Sequence, residues 1–390
     1  MTICKGDTLK ILSITGNRAD YDLMSYLYGK LNMDKDVDLK LIVTGAHLTL
    51  GYEESYENII NDGNNILVSV ENILNSDSKK SRAKSTSILL SSIIDPIDSF
   101  KPDIIMAAGD REEVIVLSIV AAYMGVPFVH FFGGDFAKSG HVDNLVRNAA
   151  SKMGTVHMVA TEEHKKRLIM MGEDEQRIYV IGSVALDKFR EEPFISREDL
   201  FKRLRKPVVD EYALLIYHPP SEIVGANREI KNIMEALNDA NINTFVSYPN
   251  TDFNNSSIRK VFENYSANNN FHFYNNLDRN TFINLYRNSK FQIGNSSSGI
   301  CESASIPIPV IDVGSRQDSR SAQENVIHIS GDYDSIADAI KTVSKNAFSE
   351  RIQNIKNQYG DGFSSERAYT LIKQIDFSKI LLKTNDPIER

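Results

Sequence analysis

The chain has 390 residues, 42% of them apolar and 25% charged, a balance that excludes a disordered chain and predicts two or three domains, each with its own core. The net charge of −8 argues against a nucleic-acid partner but not against a small anion, because a few arginines in one cleft can override the global sign. Two cysteines, Cys4 and Cys301, are too few for a disulfide framework or a cysteine metal site and point to a reducing cytoplasm.

The start is not read as a signal peptide, since Lys5 and Asp7 interrupt it and no small-residue cleavage site follows. Short β-branched runs then recur at residues 9–15, 39–43, 104–108, 126–131 and 156–160, each followed by a polar or glycine turn and a helical period. Such alternation predicts a parallel sheet with helices on both faces. The apolar stretch 114–132 resembles a membrane span, but Gly125, Pro127 and His130 divide it into a buried helix and a strand.

The ends of these runs carry chemistry. Gly16-Asn17-Arg18-Ala19-Asp20 follows the first, with Arg18 able to reach an anion and Asp20 able to cap a helix; it lacks the later glycines of the dinucleotide fingerprint. Gly109-Asp110-Arg111 follows the run 104–108, and His130-Phe131-Phe132-Gly133-Gly134-Asp135 closes the next. Gly140-His141-Val142-Asp143-Asn144-Leu145-Val146-Arg147 then places Asp143 and Arg147 one helical turn apart. Each has an ordinary explanation: a turn acid, a satisfied histidine, a surface ion pair. Four first-domain turns with titratable groups together point to a site.

A charged stretch at 190–208, containing Pro193 and Pro207, reads as a linker, after which the pattern restarts at 213–217, 243–247, 271–274, 290–293 and 310–313. Tyr217-His218-Pro219-Pro220 ends the first of these runs, where His218 can donate to a phosphate or act as acid to a leaving one. Ser247-Tyr248-Pro249-Asn250 is a weaker candidate for base or ribose contacts, and an Asn-rich loop spans 254–270.

The turn Asn295-Ser296-Ser297-Ser298-Gly299-Ile300-Cys301-Glu302 gathers backbone N–H groups and hydroxyls at the start of an expected helix, which suits a phosphate. Glu302 suits a vicinal diol such as a ribose instead. Gly314-Ser315-Arg316-Gln317, with Arg320 behind, adds guanidiniums at a strand's carboxyl end. The reading is α/β, two Rossmann-like doubly wound domains facing a central cleft, holding a nucleotide by phosphates and sugar. His141 and Asp143 lack a third metal ligand at a telling spacing, so a metal-free, cofactor-free site is expected.

In order along the chain, Gly16-Asn17-Arg18-Ala19-Asp20-Tyr21, Val43-Thr44-Gly45-Ala46-His47-Leu48, Gly109-Asp110-Arg111, Gly133-Gly134-Asp135, Gly294-Asn295-Ser296-Ser297-Ser298-Gly299-Ile300 and Gly314-Ser315-Arg316-Gln317 resemble the hydrolysing UDP-N-acetylglucosamine 2-epimerases of sialic and legionaminic acid biosynthesis. The resemblance runs from about Lys10 to Tyr333. It implies a GT-B-type fold with an N-terminal domain at 1–189 on the sugar side, a nucleotide-side domain at 190–363, and a C-terminal segment, 364–390, whose helix packs back on the first domain. It also implies a cytoplasmic homodimer or homotetramer that takes a UDP-sugar and engages neither nucleic acid nor membrane. The implied reaction turns a UDP-linked 2-acetamido sugar and water into UDP and the free 2-epimer.

Carried over residue by residue, the resemblance assigns Arg18, His218, Ser297, Ser298, Glu302 and Arg316 to UDP, and adds Ala19, Asp20, Arg111, Asn295 and Gly299 to the residues that bind substrate or UDP. It assigns Asp110, Asp143 and Arg147 to catalysis. Two departures stand out: Phe132 where many members have a Glu, and Asn148 where they often have His. Phe132 cannot take a proton, which leaves Asp110 as first choice of acid or base, Asp143 second, and Asp135 or His141 in reserve. A GT-B glycosyltransferase and a non-catalytic nucleotide-sugar-binding protein are the other readings of the same residues.

Overall fold

The computed structural model describes residues 8–386 apart from 50–52, 75–77, 138–140, 219–225, 250–254, 276, 319 and 385. Cys4, Gly140, Pro219, Pro220 and Asn250 therefore lie outside the described residues. Two compact units divide the chain, one formed by Met1–Asp135, His141–Asp187 and Gly362–Arg390, the other by Phe136–Gly140 and Lys188–Asp361.

In the first unit, seven strands, β1 (Leu9–Thr15), β2 (Val37–Thr44), β3 (Asn65–Val70), β4 (Ile104–Ala108), β5 (Phe128–Phe131), β6 (Val156–Val159) and β7 (Ile178–Val180), lie in the order β3-β2-β1-β4-β5-β6-β7. Every pairing is parallel. Successive strand residues alternate faces, and both faces are buried. Ile11, Leu39, Met106 and Val129 enter one core, while Leu12, Ile42, Ile105 and Phe128 enter the other. The apolar stretch 114–132 resolves as expected into the helix Glu112–Met124, ended by Gly125 in the left-handed conformation at φ 67°, and then β5.

The chain's last part completes this unit. The helix Ser364–Gln374 packs on the helix Arg18–Met33, with Lys30 Nζ 2.6 Å from Glu366 and Lys373 Nζ 2.8 Å from Asp34. Its first turn is anchored on the buried Asp187, whose carboxylate accepts the Ser364 and Ser365 N–H groups at 3.1 and 2.7 Å.

The second unit repeats the plan with six strands, β8 (Ala213–Ile216), β9 (Thr244–Ser247), β10 (Phe271–Tyr274), β11 (Phe291–Gly294), β12 (Val310–Val313) and β13 (Val326–Ile329), in the order β10-β9-β8-β11-β12-β13 and parallel throughout. Strand order reverses between β1 and β4 in one sheet and between β8 and β11 in the other. The carboxyl ends of these strands are where an open α/β sheet leaves room for a ligand, because their helices depart to opposite faces.

Two expectations are corrected. Residues 190–208 are not an open linker: Ser196 caps the helix Arg197–Leu204, which buries Leu200 and Phe201, and Arg287 donates to the Glu192 carbonyl at 3.0 Å. The strands β3, β7 and β13 were not expected. All three are sheet edges, with only partial apolar cover on their outward sides.

Candidate active site

The first unit's turns converge on Arg147. This residue sits in the helix His141–Met153 and is only 2% exposed. Its guanidinium donates to the Asp110 carboxylate, to the Asp135 carbonyl at 3.0 Å and to the Asn144 side-chain oxygen at 3.0 Å, and lies 3.9 Å from the Asp135 carboxylate. A buried guanidinium needs such a set of acceptors, and removing one charged partner of a pair like this costs about 3–5 kcal/mol. Asp110 leaves the end of β4 and Asp135 leaves the end of β5, so a single arginine from a helix draws two strand-end carboxylates together.

Asp143 does not share this cluster, contrary to expectation. It lies exposed one turn before Arg147, whose bonds run to Asp110, Asp135 and Asn144. His141 opens the helix, and its side chain lies outside the described residues. His164, not singled out in the sequence, stands with Nε2 3.6 Å from Asp135 Oδ1. Burial pushes its imidazole down to about 4, so the ring is neutral near pH 7. Gly134 makes that approach possible, since a Cβ there would sit 2.2 Å from the His164 carbonyl oxygen.

Phe132, the departure from the expected acid, has φ 63°, a left-handed conformation that costs a bulky residue on the order of 1 kcal/mol. Its ring packs on the first core, which makes it a wall of the turn and not a proton acceptor.

At the end of β1, Asn17 and Asp20 form a reciprocal capping box for the helix Arg18–Met33. Asp20 accepts from Thr15 Oγ1 at 2.8 Å, Gly16 N at 3.0 Å and Asn17 N at 3.0 Å. Its carboxylate therefore builds the turn that opens this helix. Arg18 is partly exposed beside Asp22 at 3.6 Å, and Ala19 is exposed. Arg111 stands just before the helix Glu112–Met124 with its Nε 3.9 Å from Glu113. Glu113 is buried against the Gly16 backbone, where a Cβ would collide with its carboxylate. Burial pushes this carboxyl up to about 7, partly offset by Arg111.

In the second unit the hub is Asn295, 1% exposed, at the end of β11. Its side chain donates to the His218 carbonyl and accepts the His218 N–H, both at 2.8 Å, which joins the ends of β8 and β11. Its own carbonyl accepts from Arg316 at 3.0 Å and from Gln317 at 2.9 Å. His218, Asn295 and Arg316 thus come together as expected, with Gln317 added. Gly294 is required beneath them: at φ 140° it lets the turn pass the Ile216 carbonyl, which a Cβ would meet at 1.9 Å.

The serine turn opens a short helix, Ser297–Cys301, which a 3-10 turn, Ser303–Ser305, continues towards Pro307. The Ser296 and Ser298 hydroxyls bond one another at 2.9 Å, and Ser298 also accepts from Gln292 at 3.3 Å. Ser297 is half-buried at the first helical position. Gly299 packs against Val310, where a Cβ would come within 2.9 Å. Glu302 faces the Lys188 ammonium at 2.8 Å, with both side chains largely buried. Nothing in the sequence marks Lys188, which is about 110 residues upstream.

Among the described residues no group of three His, Cys, Asp or Glu side chains is placed to hold a metal ion, and no helix is long and apolar enough to cross a membrane.

A family model described as UDP-N-acetylglucosamine 2-epimerase matches residues 29–373. The chain is 36% identical over 378 residues to a UDP-N,N'-diacetylbacillosamine 2-epimerase (hydrolyzing) of Legionella pneumophila, covering 96% of this chain and 99% of that one. It is 33% identical over 322 residues to a GDP/UDP-N,N'-diacetylbacillosamine 2-epimerase (hydrolyzing) of Campylobacter jejuni, covering 82% and 83%. Its fold matches the crystal structure of UDP-GlcNAc 2-epimerase from Neisseria meningitidis bound to UDP-GlcNAc, with a TM-score of 0.80 at 19% identity, covering 94% of this chain and all of that one. With two parallel-sheet α/β domains and a match along most of its length, the chain belongs to the UDP-N-acetylglucosamine 2-epimerase family.

Proposed function

We propose that this protein is a hydrolysing 2-epimerase that converts a UDP-linked 2-acetamido sugar and water into UDP and the free 2-epimer. The observation that carries this reading is the Asp110, Asp135 and Arg147 cluster, two carboxylates on one buried guanidinium. The Legionella and Campylobacter relatives, both named for diacetylbacillosamine, favour a 2,4-diacetamido-6-deoxy sugar over UDP-GlcNAc itself. A free 2-epimer of that type serves nonulosonic acid and surface polysaccharide synthesis, which fits a cytoplasmic enzyme acting as a homodimer or homotetramer.

The chemistry follows from the bond that breaks. The C2 hydrogen lies beside an amide nitrogen and not a carbonyl, so it is a poor acid. Cleavage of the C1 to phosphate bond must lead, putting cation character on C1 that acidifies C2. His218 and Arg316, tied together through Asn295, stabilise the charge gathering on the departing UDP. A carboxylate of the first unit takes the C2 proton, and Asp110 with Asp135 is the pair suited to that work. The resulting glycal regains a proton at C2 on the opposite face, and water adds its hydroxyl at C1. The atoms of one water are consumed, and UDP and the epimer leave.

Incubating the purified protein with UDP-GlcNAc and with its 2,4-diacetamido-6-deoxy analogue in heavy water tests this reading. Release of UDP without an acceptor, with deuterium at C2 of the product, is expected. Release only with an added sugar acceptor would make the protein a glycosyltransferase, and tight UDP binding without release would make it a binding protein.

A further inference from the structure

We propose that His130 is a positioning residue for Asp110, an inference that rests on the epimerase reading for its catalytic consequence. His130 is fully buried in β5 and pairs in register with Ala107 of β4, two residues before the turn that carries Asp110. That turn leaves the ladder at Gly109, where φ is 94°, and swings the Gly109 carbonyl onto His130 Nε2 at 2.9 Å. On its other side, His130 Nδ1 meets the Ser151 hydroxyl at 2.9 Å.

The tautomer follows from these partners. A carbonyl only accepts, so the proton is on Nε2, and Nδ1 must then take the Ser151 hydroxyl hydrogen. A neutral ring is what this arrangement needs, and burial supplies one by pushing the imidazole down to about 4. The charged or titratable groups around the ring are His157 and Lys383, and both disfavour a second proton.

Ser151 and Arg147 stand four residues apart, on one face of the helix His141–Met153. Arg147 binds the Asp110 carboxylate directly, and Ser151 binds the carbonyl just before Asp110 through His130. One helix therefore holds the acid at both ends. Gly133 is the clearance for this link, since a Cβ there would lie 2.9 Å from Ser151 Oγ and 3.2 Å from His130 Nδ1. A side chain at this position would press on both partners of the link.

The test compares the parent with His130→Leu, His130→Gln and Ser151→Ala, following UDP release from the UDP-sugar that the parent turns over and UDP affinity by calorimetry. His130→Leu is expected to lower kcat about 100-fold, the scale of a 1 Å misplacement, with KM and UDP affinity unchanged. His130→Gln keeps an amide N–H for the Gly109 carbonyl and is expected to recover about tenfold of that loss. If the leucine variant has no cooperative melting transition, Ser151→Ala decides, with kcat lowered about tenfold at constant KM. A leucine variant within about threefold of the parent, a glutamine variant no better than leucine, or a matching fall in UDP affinity overturns the proposal. Imidazole nitrogen NMR of the parent gives a readout independent of turnover. A neutral ring protonated on Nε2 from pH 6 to 8 is expected, and an Nδ1 proton or a titration in that window overturns it. A parent that releases no UDP sinks the epimerase reading alone, and the NMR result then decides whether the His130 link exists.

Discussion

Asn295 bonds both backbone polar groups of His218, giving and receiving one hydrogen bond of 2.8 Å each, so that a side chain extends the contact between β8 and β11 beyond the end of their ladder. Replacing Asn295 with Ala leaves a part-buried N–H and a part-buried carbonyl without these partners and releases His218. UDP affinity is expected to fall by about 1–3 kcal/mol, the cost of such unmade bonds, and calorimetry with UDP checks it. Affinity equal to the parent's would remove the clamp from the binding machinery.

Glu302 offers a sharper question because Lys188 already faces it. If one of its oxygens also holds the ribose diol, the parent binds UDP more tightly than 2′-deoxy-UDP by about tenfold, within the range for a hydrogen bond to a charged group. Glu302→Ala is expected to bind both ligands equally and to melt at a lower temperature, since Lys188 loses its counter-charge. A preference for UDP that survives the substitution would assign Glu302 to the Lys188 pair alone.

Asp110→Asn keeps the shape of the first-unit cluster while removing a charge from Arg147 and a base from the site. Turnover is expected to fall by at least about 100-fold with UDP affinity unchanged. Asp143→Asn, on an exposed position outside the bonds of Arg147, is expected to cost much less. Single-turnover rates for the two variants decide the order.

Much of the fold could be read from the chain because buried parallel strands are nearly continuous apolar runs, and β1, β4 and β12 fall where those runs do. The strands that escaped, β3, β7 and β13, are edges whose outward faces meet water, so their composition carries a weak signal. The site divides in the same way. Asp110, His218, Asn295 and Arg316 stand in turns with distinctive residues, and Arg147 follows a distinctive run on its helix. Lys188, His164 and Glu113 matter through burial and through partners distant in sequence, which no local pattern reports.

Glu113 makes stability depend on pH in a defined direction. Its folded-state pKa of about 7 lies above the usual glutamate value, so the stability it contributes is complete below about pH 4.5 and is lost as pH rises through 7. Glutamine does not titrate. Glu113→Gln is therefore expected to gain stability over the parent between pH 5 and pH 8, by about 3 kcal/mol at most. Urea unfolding of both proteins at the two pH values measures the gap, and a constant gap would show that Glu113 stays charged throughout.

Glu173 works in the opposite sense. Burial alone would raise its pKa, but hydrogen bonds from His157 at 2.9 Å, Lys152 at 2.7 Å and Lys383 at 2.6 Å together bring it down to about 2. The stability it contributes is present above about pH 4.5 and is lost as pH falls towards 2. The advantage of the parent over Glu173→Gln is expected to shrink by roughly 2 kcal/mol between pH 5 and pH 3, again by urea unfolding. No change across that interval would mean that the cluster does not hold the carboxylate charged.

The anchoring of Ser364 and Ser365 on Asp187, and of Lys383 on Glu173, has a consequence for biosynthesis. A chain emerging amino end first makes the seven strands of one sheet early, yet the helix that covers Arg18–Met33 arrives more than 330 residues later. The intervening unit, continuous from Lys188 to Asp361 apart from one short segment, can close on the ribosome in the meantime. The half that starts first is thus finished last.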